Sequence, residues 1–410
     1  MPFSVDFPIP PFVKPRCGHV AVYYKERVIL WGGYYNDPTT NRESYINCDQ
    51  LDIYNPYTGE WKTKRLTGTL PSNNCCSVGC VLNGCLYVFG GEVNNCTSSK
   101  TFLVKLLSTS GDIPSPRNKL CCWREGNKMY VFGGYCNMRD YVHENGPYKI
   151  VKDTFSYRVD LFENRCDNPH NELKDLNFQF QLSSCYGWSN ELYQFDTVRN
   201  EWSLVHTDIK DLPVPRAAHS CVKIGKKVYI FGGRFQERRR NDLFCLDMQS
   251  LTWKTLKPDT QDCENEPVGR SWHTLSPINR DKLLLYGGLG SSGELLENDA
   301  WIIDFSDTIL KFRNLRPSLE QSGLTTEEKN RLWHGATHTS NIGEVHISGG
   351  YADTIFRSRP PLSRNVLTFR DRPLPLYKLC LIKIMRQLKF YEPVIKSRGD
   401  GELMDLIRGI

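Results

Sequence analysis

The chain has 410 residues, a formal net charge of +6 from 52 basic and 46 acidic residues, 31 glycines, 23 prolines and 12% aromatic residues. That length suits one large domain with a small appendage, and the composition suits many short strands joined by turns. No apolar run approaches the roughly 20 residues of a membrane helix, the opening MPFSVDFPIPPF lacks the basic stretch and apolar core of a secretory signal, and mild basicity is not a nucleic-acid signature.

A soluble chain, cytoplasmic or nuclear, is therefore expected. The 16 cysteines are scattered, with no Cys-x-x-Cys pair, and Cys80, Cys221 and Cys245 lie inside apolar strand patterns. They read as small buried hydrophobes, not as a disulfide framework or a zinc site. Neither a metal nor a cofactor is expected. Asn95-Cys96-Thr97 is a formal glycosylation sequon that would carry no meaning in the cytosol.

In chain order, a short apolar strand ending in Gly-Gly recurs six times: VILWGG, LYVFGG, MYVFGG, VYIFGG, LLLYGG and VHISGG, ending at Gly33, Gly91, Gly134, Gly233, Gly288 and Gly350. Some copies are followed by an aromatic and, seven positions on, a tryptophan: Tyr54 to Trp61 and Phe195 to Trp202, with Leu246 to Trp253 keeping the spacing. The pairs lie 58, 43, 99, 55 and 62 residues apart. The short gap predicts a missing or degenerate outer strand in unit 2. The long gap predicts an insertion in unit 3 over about residues 137–187. Unit 5 is degenerate, with Ile303 and Leu310 where the aromatic and tryptophan would fall.

This pattern resembles the kelch repeat, in which each unit is one four-stranded propeller blade. The resemblance covers about residues 15–370 and implies an all-β, six-bladed propeller over residues 1–370. One blade cannot bury both its faces, so the units must stack, and a closed ring leaves no exposed end.

Antiparallel pairing puts the start of each first strand beside the end of the second. Residues before strand one and after Gly-Gly therefore share one rim. Before strand one, four units carry Arg-x-x-His, at Arg16, Arg216, Arg270 and Arg331, and a fifth has Arg117-Asn118-Lys119-Leu120. Because they repeat with the blade, these Arg and His residues read as structural. The residues between them vary, giving Ser271-Trp272 and Leu332-Trp333. After Gly-Gly stand Tyr34, Glu92, Tyr135, Arg234, Leu289 and Tyr351. Arg234 opens a loop that also holds Arg238, Arg239 and Arg240, so unit 4 is expected to offer up to four guanidiniums beside Ser271 and Trp272. Such forks suit a carboxylate or phosphate, and rim tryptophans suit binding.

The stretches PRAAH (215–219), FGGRFQERRRNDL (231–243), GRSWHTL (269–275) and RLWH (331–334) are similar to those of kelch-domain-containing substrate receptors of cullin-2 ubiquitin ligases, which capture proteins ending in Gly-Gly. The resemblance implies that Arg234, Arg239 and Ser271 hold the terminal carboxylate, and that Lys119, Tyr135, Trp188, Trp272 and Trp333 complete the pocket. It implies C-terminal glycine degrons as ligands.

After about residue 371 the strand pattern stops. Leu376, Cys380 and Ile384 are spaced i, i+4, i+8, a helical stripe. It fits an amphipathic helix packed on the propeller. It also resembles the elongin-binding box of cullin–RING substrate receptors, which implies elongin B/C and a cullin-2-type scaffold as partners of residues 371–410. The region after Pro393, polar from Lys396 to Glu402, departs from the cullin-selecting box of that family. A kelch scaffold for cytoskeletal or signalling proteins is the rival reading. A propeller enzyme is disfavoured, because neither the Tyr/His copper site nor the repeated Asp boxes of such enzymes are visible.

Overall fold

A computed structural model describes residues 3–8, 13–36, 43–68, 70–93, 96–98, 101–103, 105–137, 150–152, 186–258, 266–306, 310–339, 343–354 and 361–372, with 376, 379–380, 382–384 and 387 beyond. The interior of the insertion, the Asn95 sequon and the stretch from Pro393 to Glu402 lie outside the described residues.

Each Gly-Gly segment forms the second strand of an antiparallel sheet, and six such sheets follow one another around a ring. These second strands are buried on both faces, as in Lys282–Tyr286, where four of five residues are buried. A blade is sandwiched between two neighbours, so its central strands read as near-continuous apolar runs. Blade 1 is built from Val20–Tyr24, Arg27–Trp31, Gln50–Asn55 and Glu60–Arg65. Blades 3, 4 and 5 repeat the plan around Lys128–Phe132, Lys227–Phe231 and Lys282–Tyr286.

Tyr54 stands opposite Trp61, Phe195 opposite Trp202 and Leu246 opposite Trp253. Two of these tryptophans pack between blades: Trp202 lies 4.5 Å from Phe89 of blade 2, and Trp253 5.2 Å from Phe132 of blade 3. In blade 5 the register pairs Ile303 with Phe312, and Ile303 and Leu310 pack against Tyr229 and Phe231 of blade 4. Blade 2 keeps a fourth strand as a stub of two residues, Lys105–Leu106. Its outer edge is degenerate but present.

One element has no signature in the repeat. Phe3–Pro8 pairs antiparallel with Asn365–Arg370 and supplies the outer strand of blade 6. A strand from the start of the chain thus completes the last blade.

Two rings of backbone hydrogen bonds join the blades. The second glycine of each pair donates its N–H to the carbonyl of the next blade's motif residue (Arg16, Asn74, Arg117, Arg216, Arg270 or Arg331) at 2.8–2.9 Å. Nearer the axis, the third residue of each motif bonds its neighbour. Gly18 donates to Trp333, Trp333 to Trp272, Trp272 to Ala218, Ala218 to Lys119, Lys119 to Cys76 and Cys76 to Gly18, at 2.7–3.2 Å. The loop of donors closes on itself after six residues, all left-handed with φ from 55° to 61°.

The first ring explains the glycines. At Gly287, with φ +60°, a Cβ would lie 2.3 Å from the Arg331 carbonyl oxygen of blade 6. Backbone cannot withdraw without breaking the ring, so Gly287→Ala is expected to cost about 3 kcal/mol. Denaturant unfolding measures it, and a cost below about 1 kcal/mol would mean that the blades part easily.

Candidate functional site

The motif arginines are structural. Arg16, Arg117, Arg216, Arg270 and Arg331 are each at most 1% exposed. Each donates to the carbonyl of the first glycine in its own blade (Gly32, Gly133, Gly232, Gly287, Gly349). Arg16 pairs with Asp52, Arg117 with Glu191 at 2.8 Å, Arg216 with Asp242 at 2.7 Å and Arg270 with Asp299 at 2.5 Å. In blade 2 the shorter Asn74 takes over the bond to Gly90. The motif histidines His19, His219, His273 and His334 are buried and neutral. Burial, then the nearby motif arginine, pulls His19 and His219 down to about 3. None of these groups is positioned as a base at an open surface, and among the described residues no group of three or more His, Cys, Asp or Glu side chains could hold a metal.

The variable residues of the motif form the mouth. Bridges join Ala217 to Arg234 and Ser271 to Leu289, and Asn118 pairs with Tyr135, so pre-strand and post-Gly-Gly residues do meet on one rim. Arg234–Phe235 and Arg238–Arg239 make a two-residue hairpin in which Arg234 stands opposite Arg239. The Nε of Arg239 donates to the Oγ of Ser271 on blade 5 at 2.9 Å. Ser271 is buried, so this bond fixes the guanidinium at the junction of blades 4 and 5.

One guanidinium, not four, bonds across this junction: Arg239 does, while Arg234 stands opposite it in the hairpin and donates from its Nε to the Gln236 carbonyl at 2.7 Å. Arg240 is drawn off to Asp242 at 3.1 Å, and Arg238 is exposed. Neither Arg234 nor Arg239 has an ion-pair partner among the described residues. Burial, followed by the charge of Arg234, lowers Arg239 to about 10, with Glu294 opposing the fall more weakly. Two neighbouring like charges, one half-buried and hydrogen-bonded to a hydroxyl, favour an anion between them. Ser271 accepts from Arg239, so its own proton is free to be donated to such an anion.

The aromatic residues surround the same mouth. Trp272 and Trp333 stack with centroids 5.2 Å apart, and Tyr34 meets Trp333 edge-on at 5.4 Å. They rest on an apolar bed of Cys17, Leu289, Leu332 and Tyr351. The Nε1 of Trp272 has no hydrogen-bond partner among the described residues. On the other side, Trp188 lies edge-on to Tyr135 at 5.6 Å and to Phe235 at 5.9 Å. Lys119 links the two groups, its Nζ 5.8 Å from the Tyr135 ring centre and 5.9 Å from that of Trp333. Tyr135 and Trp188 stand here because both ends of the insertion are strands. Tyr135–Asn137 pairs with Tyr186–Ser189, which pairs with Ile150–Lys152, making a small sheet over the rim. Tyr34 and Phe235 join this surface with no signal in the sequence beyond their places after Gly-Gly and after Arg234.

The matching family model, the KLHDC2/KLHL20/DRC7 Kelch-repeats domain, spans residues 18–162 and 181–356. The chain belongs to this kelch-repeat family. Among curated proteins it is 30% identical to human Kelch domain-containing protein 1 over 383 residues, covering 90% of this chain and 83% of that protein. It is 32% identical to human Kelch domain-containing protein 2 over 379 residues (89% and 83%), and 26% identical to mouse Kelch domain-containing protein 3 over 365 residues (83% and 81%). The solved structure of YjhT superposes with a TM-score of 0.57 at 17% identity, covering 88% of this chain and 96% of that one, which supports the propeller fold. A kelch-repeat domain is a protein-interaction scaffold.

The tail presents a separate surface. Among the described residues after 372, Leu376, Leu379, Cys380, Ile382, Lys383, Ile384 and Gln387 are helical. Leu376, Leu379 and Ile384 are exposed by 76%, 48% and 49%, and Cys380 is exposed. No helix among the described residues is long and apolar enough to cross a membrane.

Proposed function

We propose that the chain is a substrate receptor of a cullin–RING ubiquitin ligase that captures the C-terminus of its targets at the propeller mouth. Arg234, Arg239 and Ser271 hold the terminal carboxylate, and Trp188, Trp272, Trp333, Tyr135 and Lys119 wall the residues before it. The observation that carries this reading is the Arg234–Arg239 pair, joined to Ser271 across a blade junction and without an anionic partner among the described residues. Aromatic walls on both sides favour a chain end without side chains, which suits a Gly-Gly terminus. The exposed stripe of Leu376, Cys380 and Ile384 supports docking of elongin C, and through elongin B/C a cullin-2-type scaffold. No catalytic role or cofactor is assigned to the chain.

The test has two arms. A labelled peptide ending in Gly-Gly should bind the full chain as the free acid and lose at least about tenfold in affinity on amidation, which removes the charge the arginines read. Equal binding of both forms would favour a scaffold without a terminus pocket. Separately, Leu376→Asp with Cys380→Asp should abolish co-purification of elongin B/C while leaving peptide binding intact; retained co-purification would reject the ligase assignment.

A further inference from the structure

The rim carries eighteen variable positions, two in each motif and one after each Gly-Gly, and only Glu92 among them is acidic. Its backbone pairs with Cys75, which places it on the blade 2 sector of the mouth. One carboxylate oxygen accepts from the Nδ2 of Asn118 at 2.9 Å, and Asn118 adjoins Lys119 and pairs with Tyr135 of the pocket wall.

Glu92 differs from the other carboxylates of the inner blades. Asp52, Glu191, Asp242 and Asp299 each neutralise a motif arginine. Blade 2 has Asn74 in place of that arginine, and among the described residues Glu92 has no cation within ion-pair distance. Lys119, the nearest base in the motif, turns over the rings of Tyr135 and Trp333. Asn118 is 3% exposed, and its Oδ1 is a buried acceptor with no partner among the described residues. A half-buried carboxylate beside an unfilled acceptor calls for a donor with positive charge.

We propose that Glu92 and Asn118 form a second subsite that takes a lysine or arginine side chain upstream in the captured peptide. This rests on the reading of Arg234 and Arg239 as the terminus site. It also fixes the peptide's direction, with its end over blades 4 and 5 and its body leaving over blades 3 and 2. The ligand is then a C-terminal tail with a basic residue shortly before its glycines.

The experiment titrates the full chain with labelled peptides ending in Gly-Gly that carry Lys or Glu at each of the third to sixth positions from the end, as free acids and as amides. At one position the Lys peptide should bind about fivefold tighter than the Glu peptide, and Glu92→Lys should reverse that order. Glu92→Gln, which keeps the bond to Asn118, should flatten the preference without loss of thermal stability and stands in if the charge reversal does not fold. A Lys/Glu preference absent at every position, with acids still far tighter than amides, overturns the subsite and leaves the terminus pocket standing. Acids and amides binding alike overturns both.

Discussion

Arg239→Ala should weaken binding of a peptide ending in Gly-Gly by about 30-fold or more, the largest loss among single substitutions at the mouth. Truncating one partner of a buried charged pair costs about 2–5 kcal/mol, at about 1.4 kcal/mol per factor of ten. Arg239 is expected to exceed Arg234 for two reasons. It alone is bonded to Ser271, so its loss also frees the serine. In addition, Arg234 contributes to lowering Arg239, so removing Arg234 relieves a repulsion and recovers part of what is lost. Arg239→Lys keeps the charge but not the fork, and should fall between wild type and alanine. Arg238→Ala, at an exposed position, should change affinity by less than about threefold. Peptide titration against these four proteins gives the order directly. Equal losses at Arg238 and Arg239 would mean that the peptide sees only the net charge of the loop.

The propeller should lose stability steeply on mild acidification. Buried His19 and His219 have folded-state values of about 3, against about 6.5 when unfolded. Both are therefore neutral in the fold at pH 5, while the unfolded chain has taken up their protons. Their stabilisation is complete above about pH 6.5 and is lost as the pH falls towards 3. At pH 5 each withdraws about 2 kcal/mol, at about 1.4 kcal/mol for every pH unit below the unfolded value. These two alone should lower the melting temperature by on the order of 5 °C between pH 7.5 and 5 in a domain of this size. His273, His334 and His338 are lowered in the same direction by burial and add to the fall. His219→Gln should reduce the pH slope by one proton. A melting temperature unchanged between pH 7.5 and 5 would show that these rings are charged, or reached by water, in the folded state.

Blade number and the composition of the mouth were legible because both follow from a repeat. Gly-Gly marks where neighbouring backbones touch, and antiparallel pairing then brings Arg234 beside Ala217 and sets Ser271 on the same rim. What was not legible depends on single long-range partners. Nothing in FSVDFP announces that it pairs with Asn365–Arg370, since an outer strand needs neither glycines nor an aromatic pair. Arg238, Arg239 and Arg240 are equivalent in sequence. They part only because Asp242 lies within reach of Arg240, Ser271 within reach of Arg239 and nothing comparable beside Arg238 among the described residues. Trp188 and Tyr135 flank an insertion that carries no repeat signature, and only strand pairing brings its two ends together over the rim. Glu92 stood in the row of rim residues, but without Asn118 beside it a lone acid suggested nothing.

The closed circle of backbone bonds through Gly18, Cys76, Lys119, Ala218, Trp272 and Trp333 separates what holds the mouth together from what the mouth reads. Its strength comes from amides that every residue but proline possesses, so the six side chains are facings on a common frame. Exchanging the partly exposed ones, Lys119, Trp272 and Trp333, should retune what the mouth binds while leaving the frame almost untouched. Trp272→Ala should change what the mouth binds far more than how firmly the blades are joined. The same frame could therefore carry different binding surfaces, changed at the partly exposed ring positions and the few residues that follow Gly-Gly.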